Sequence, residues 1–292
     1  TVELPRFPEA AMEDRENDAT SVLGSCGSRT SLEASPAKME EHTFNDWTVR
    51  CRVSHILPSK CSSSCRENEP CILCRYTKEL EIPHLPEMVF PFNILELEHK
   101  SGCLVQFTAL EALKLVKKEN LIVKIACSES WKKSREDSGI VEKKIGDFDW
   151  TFRTDYNGTY NGWSTRQMSD TGIDLEVLKK REQILLYKDL MLFEDELHDN
   201  GVAVCNVRMR VMPSGFFVLL RYFLRVDGVL IAANDTRIYH DFSTNHVLVE
   251  TAQREDKVDD LQVPLGMMTE PDEITSRLTL RNSTCEKLIL PR

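Results

Sequence analysis

The stretch RMRVMPSGFFVLLRYFLRVDGVLIAANDTRIYH, residues 208–240, decides the fold. Two apolar runs, residues 216–226 and 229–233, flank Asp227-Gly228. An Asp-Gly pair between β-rich runs signals a hairpin, because a type I′ turn needs positive φ at both central residues. With a two-residue loop, Val226 would oppose Val229 and Arg225 would oppose Leu230. The two-residue period of a strand places Phe217, Leu219, Arg221, Phe223 and Arg225 on one face. Phe216, Val218, Leu220, Tyr222, Leu224 and Val226 take the other. Both faces are largely apolar, so this is a central strand covered on both sides. Arg221 and Arg225 interrupt one face. Either their stems cover the sheet while the heads reach water, or they form an anion or carboxylate site.

Outward from the hairpin, residues 201–211 alternate as a strand, and residues 238–250 continue the sheet and add another. Residues 251–263 are polar and read as a loop. Pro271, followed by acids, fits a first helical position. Residues 285–290 close the chain as a strand. Upstream, residues 173–200 read as the main helix, capped by Asp170, Thr171 or Asp174 and stopped by Gly201. The acidic end of that helix, residues 194–199, opposes the helix dipole and hints at another use for its carboxylates, such as an arginine partner. Residues 44–57, 93–99, 103–107 and 121–127 read as strands, as does the alternation of Phe148, Trp150 and Phe152. Thr108 and Glu111 form a capping box for a short helix over 109–118. The expected fold class is α+β: largely antiparallel, β-sandwich-like sheets flanked by a few helices. Residues 1–43 read as a disordered leader and 44–292 as a single domain.

The 292 residues carry a net charge of −10, which argues against general nucleic-acid or anionic-membrane binding. No apolar run is long enough to span a bilayer, and no basic-then-apolar signal segment opens the chain. A cytoplasmic setting with reduced thiols is the expectation. Of ten cysteines, Cys51, Cys103, Cys127 and Cys205 stand singly inside apolar patterns and read as small buried hydrophobes. Cys61, Cys65, Cys71 and Cys74 fall in a polar insertion, residues 58–74. Four thiolates in that span could hold zinc tetrahedrally, but the spacing is loose and no second CxxC appears. A flexible insertion with free thiols is the plainer expectation; a zinc or metal-dependent protein is the alternative. No phosphate loop, zincin or hydrolase signature is present. His240-Asp241 could form a general-base pair, although such a pair at a strand end is more often structural. From the residues alone, a binding protein without a cofactor is expected rather than an enzyme.

Several segments resemble one family: LPEMVF (85–90), DWTFRTDYNGT (149–159), KKREQILLYKDLMLFEDELHDNGV (179–202), RMRVMPSGFFVLLRYFLRVDGVL (208–230), NDTRIYH (234–240), TEPDEI (269–274) and CEKLI (285–289). In this order they are similar to the TOR signalling pathway regulator-like (TIPRL) family. The leader and the cysteine-rich insertion depart from its pattern. The resemblance implies a cytosolic, non-enzymatic regulator acting in TOR signalling. It would bind catalytic subunits of type 2A-like serine/threonine phosphatases and inhibit or sequester them. It also implies, as a further partner, the TAP-type phosphatase adaptor. Family positions on the partner-binding surface fall on Asp235, Glu111 (usually Asp), Ile173 and Ala233 (usually Met). Asn234 and Arg237 lie in the same NDTR run as Asp235. A groove beside the hairpin could then hold an extended, carboxylate-ended phosphatase tail, with Arg221, Arg225 or Arg237 pairing its charge.

Overall fold

The computed structural model describes residues 38–80, 82–117 and 150–291. The expected strand at 121–127, Phe148, Cys127 and most of the expected leader lie outside these residues. Two antiparallel sheets face each other. The smaller has the order β1 (Glu40–Phe44), β2 (Trp47–Arg52), β4 (Ile94–His99), β5 (Leu104–Thr108) and β6 (Thr159–Asn161). The larger has the order β3 (Met88–Val89), β8 (Leu186–Asp195), β9 (Gly201–Met212), β10 (Gly215–Val226), β11 (Leu230–Asp241), β12 (His246–Lys257), β13 (Leu280–Ile289) and β7 (Thr165–Met168). Among the described residues four short α-helices border them: α1 (Ile72–Leu80), α2 (Ala109–Lys114), α3 (Leu175–Lys179) and α4 (Pro271–Ile274). Among the described residues no helix is long and apolar enough to cross a membrane.

The central hairpin forms, and β10 is buried along almost its whole length, as its two apolar faces require. Its loop is one residue longer than expected. Val226 pairs with Leu230 and Arg225 with Ile231, so Asp227, Gly228 and Val229 turn the chain. Gly228 takes φ +67 while Asp227 does not enter the positive region. The Val229 N–H closes the turn on the Val226 carbonyl at 2.9 Å, and positive φ at its second central residue alone, the type II pattern, replaces the type I′ turn.

The inward faces of the two sheets share one core. Trp47 on β2 sits at its centre, with its ring 5.0 Å from Phe216 on β10 and 5.2 Å from His240 on β11. His240 is buried there and donates from Nδ1 to the His246 carbonyl at 2.8 Å. It is a core histidine rather than half of a general-base pair. Cys51, Cys103 and Cys205 are buried, as their patterns indicated.

The largest departure is the main helix expected over 173–200. Of that span only α3 is α-helical, with Asp174 as its cap accepting from the Glu176 N–H at 2.9 Å, and a single 3-10 turn follows at Leu197–Asp199. Residues 186–195 instead form β8, paired with β9. A bulge between Met191 and Phe193 shifts the inward phase from Leu190 and Leu192 to Phe193 and Asp195, and that phase shift mimics helical spacing. Of the acidic end, Asp195 turns inward and accepts the backbone N–H groups of Glu87 and Leu197 at 3.1 and 2.7 Å. Gly201 opens a strand rather than ending a helix. It has φ +147, and a Cβ there would overlap the Arg225 carbonyl oxygen. Gly201→Ala is expected to cost about 2–3 kcal/mol of stability, read as a lower chemical-denaturation midpoint with the slope unchanged.

Smaller corrections have the same origin in pairing. Residues 251–257 extend β12, and Leu280 begins β13 earlier than its apolar pattern does, because each strand follows its neighbour. Glu40 to Thr43 of the expected leader form β1 against β2. Trp150 and Phe152 are buried but not in a strand, since Phe152 takes φ +57. Residues 72–80 of the insertion and its flank are helical, with Tyr76 and Leu80 buried. Thr108 caps α2 as expected, accepting from the Glu111 N–H at 3.4 Å, and Pro271 opens α4.

Candidate functional site

Strand alternation sorts the NDTR run. Asn234 and Asp235 are adjacent, so they leave β11 on opposite faces. The outward face of the large sheet carries two apolar clusters. One gathers Phe223, Ile231 and Ala233 under Met268, Ile274 and Leu278. The other gathers Phe217, Leu219 and Tyr239 under Ile173 and Leu178. Between them runs a row of charged side chains.

Arg221 and Asp235 form its centre. Arg221 Nε and Nη2 donate to Asp235 Oδ1 and Oδ2 at 2.7 and 2.8 Å, and both side chains are buried. Arg221 Nη1 donates to Asp272 Oδ1 at 2.6 Å, and Arg208 grips the same carboxylate at 2.8 and 3.1 Å. Burial works against both charges of the central pair. The opposing guanidinium nevertheless holds the Asp235 carboxyl below its ordinary value, and the carboxylates hold Arg221 above its own. Arg221 is thus neither a snorkelling side chain nor a free anion site. Arg225 pairs with Asp227 in the hairpin loop at 2.7 Å.

The row opens into a groove of about 400 Å³ over β12 and β13. Ala252 and Ser283 leave its floor shallow; Arg237, Arg254 and Glu250 line it, and Met168 and Leu280 stand at its margins. Met168 is 71% exposed and Leu280 48% exposed, so both margins are apolar and open to solvent. Glu250 is engaged, accepting the Ile173 N–H at 2.6 Å. Arg237 Nη2 lies 3.8 Å from Asp235 Oδ2, whose oxygens already serve Arg221. Arg254 Nη1 is buried with no hydrogen-bond partner. Burial, then the neighbouring Arg237 guanidinium, push Arg254 below its ordinary value. The groove therefore has apolar margins and an under-neutralised pair of arginines, which suits a carboxylate or another anion on an extended segment.

The residues chosen from the sequence do not all meet here. Asp235 and Arg237 line the groove, whereas Ile173 is buried in an outer cluster and only its backbone N–H meets the lining Glu250. Asn234 faces inward, donating to the Thr154 carbonyl at 3.0 Å, and lines a cleft of about 300 Å³ between the sheets with Tyr160, Arg166 and Glu286. Glu111 sits on α2, paired with Lys114 at 2.7 Å, and lines neither depression. Ala233 is buried in an outer cluster. A wider depression, about 570 Å³, lies among residues 256–279, away from the charged row. Arg254 escaped the sequence reading because residues 251–257 read as loop; a strand continued to Lys257 would have put it beside Ala233 on the Asp235 face.

Known proteins place this geometry in context. The TIP41-like family model matches residues 88–262. The TIP41-like protein of Homo sapiens is 42% identical over 252 residues, covering 85% of this chain and 89% of that protein. That of Rattus norvegicus is 41% identical over 256 residues, covering 86% and 90%. The type 2A phosphatase activator TIP41 of Saccharomyces cerevisiae is 35% identical over 236 residues, covering 75% of this chain and 64% of that protein. With the family match spanning most of the chain and the β-sandwich intact around its central hairpin, the chain belongs to the TIP41-like family.

Proposed function

We propose that this chain is a non-catalytic regulator that binds catalytic subunits of type 2A-like serine/threonine phosphatases, using the groove beside β12 and β13. The name of the yeast relative supports a type 2A phosphatase as the partner. The observation that carries the groove is the pair Arg237 and Arg254 between the exposed Met168 and Leu280. An extended, acidic or carboxylate-ended tail would place its charge on the arginines and its apolar side chains on the margins. Binding there would hold the catalytic subunit in an inactive or stored form in the cytoplasm, within TOR signalling, in company with the TAP-type adaptor.

Binding of purified phosphatase catalytic subunit tests this. Arg254→Ala should weaken it about 10- to 100-fold, equivalent to one charge-assisted hydrogen bond of about 1.5–3 kcal/mol. Arg237→Ala together with Arg254→Ala should abolish the salt dependence of the affinity. Unchanged affinity for the double variant, or for a phosphatase lacking its tail, would remove the groove from the reading. Phosphatase turnover in the same mixtures distinguishes the sense of regulation. A fall supports inhibition or storage, and a rise supports the activation named for the yeast relative.

A further inference from the structure

Away from the groove, the polar insertion before α1 brings four sulfurs together. Cys61 and Cys65 come from a loop in which the Cys65 N–H donates to the Ser62 carbonyl at 3.0 Å. Cys71 and Cys74 come from the residue before α1 and from its first turn. Arg66 and Glu69 close the link with mutual backbone hydrogen bonds at 3.2 and 3.0 Å. Cys61 Sγ lies 3.8 Å from Cys71 Sγ and 3.6 Å from Cys74 Sγ, and Cys65 Sγ lies 3.6 Å from Cys74 Sγ. All four sulfurs lie within 4.8 Å of one another.

These separations decide between three states of the thiols. A disulfide holds its sulfurs at about 2.05 Å and joins them in isolated pairs. Here each described separation is far longer, and the four form one group. A zinc–sulfur bond of about 2.3 Å in tetrahedral geometry sets the sulfurs about 3.8 Å apart, which matches the cluster. Four free thiols are the remaining state, and the loop offers little to gather them. No residue from Pro58 to Cys71 is buried, so no apolar contact organises it. The Cys71 N–H points at Cys65 Sγ at 3.2 Å, and the backbone N–H groups of Ser62 and Cys74 point at Cys71 Sγ. Amides aimed at sulfur are the outer-shell contacts that orient metal-bound thiolates.

We propose that Cys61, Cys65, Cys71 and Cys74 form a structural zinc site that fastens the end of the β2–α1 connection to α1. Four protein ligands close the coordination sphere, so the ion serves structure rather than catalysis. With zinc bound, the insertion takes its shape from the metal rather than from an apolar core.

The full chain, purified without a metal-binding tag, tests this by elemental analysis and by cobalt substitution. About one zinc per chain is expected. Cobalt should give the visible bands of a tetrahedral tetrathiolate together with sulfur-to-metal charge transfer. Cys71→Ser with Cys74→Ser, and separately Cys61→Ser with Cys65→Ser, should each lose more than about nine-tenths of the bound zinc, whereas Cys285→Ser should keep it. Circular dichroism of each variant shows whether the sheets remain folded. Zinc at background levels in wild type with four freely titrating thiols overturns the proposal, as do two disulfides found by mass spectrometry or an iron tetrathiolate spectrum. Phosphatase binding of the two double variants is read separately, since none of the four cysteines lines the groove.

Discussion

Asp235→Ala is expected to lower the unfolding free energy by about 3–5 kcal/mol, because it leaves a buried guanidinium without its bidentate acceptor. The side chains of Arg221 and Asp235 are 3% and 1% exposed, so water cannot replace the lost carboxylate. Asp272 would still hold Nη1, leaving Nε and Nη2 unsatisfied. Asp235→Asn removes the charge but keeps an acceptor, and should cost less. Arg221→Leu combined with Asp235→Leu should recover most of the loss, since well-packed apolar residues can replace a buried ion pair, and apolar clusters already lie on both sides. Urea unfolding of wild type, both single replacements and the double gives the coupling directly. A cost below about 1 kcal/mol for Asp235→Ala would sink the buried-pair account. Asp235 consequently cannot be used alone to probe partner binding, because its replacement perturbs the fold that builds the groove.

Trp47→Ala is expected to cost about 3–5 kcal/mol, the range for deleting a fully buried large aromatic. Its indole is 1% exposed and bridges the sheets, meeting His99 and Trp163 on the small-sheet side and Phe216 and His240 on the large. No neighbour can collapse into the space without separating strands that are paired on both sides. The loss should appear as a lower thermal midpoint with far-UV circular dichroism retained; a change within about 1 kcal/mol would contradict a keystone role.

The same layer sets a pH dependence. Burial lowers the pKa of both His240 and His99. The unfolded chain therefore binds protons at about pH 6.5, while the folded chain does so only at lower pH. Stability is fully present above that value and falls as the pH drops toward the folded pKa values. Asp235 acts lower: its depressed carboxyl contributes stability above about pH 4, lost as the pH falls through its folded value. Acid titration of the unfolding midpoint should show these as two successive declines, and His240→Gln should diminish the first.

The order of strands around residues 208–240 was legible because burial on both faces leaves an unbroken apolar run, which only a central strand accommodates. Asp227-Gly228 marked the turn, but its register depended on whether one residue or two took positive φ, a choice made by the paired strands. The run at 186–195 has helical spacing in the sequence because a single bulge breaks its two-residue period. Pairing with β9 overrode that local spacing.

The sequence by itself determined the hairpin, the sandwich class, the cap at Thr108 and the family, because each is written in neighbouring residues or in their order. Only the tertiary structure decided what the charged residues do. Arg221 is claimed by Asp235 across the hairpin and by Asp272 from a separate helix, 51 residues on. Arg254 is left facing the groove by a strand extension that its own polar residues do not announce. Four loosely spaced cysteines converge through a turn and a helix start. A charge or a thiol takes its role from partners distant in the chain, and distance along the chain gives no measure of which partner will arrive.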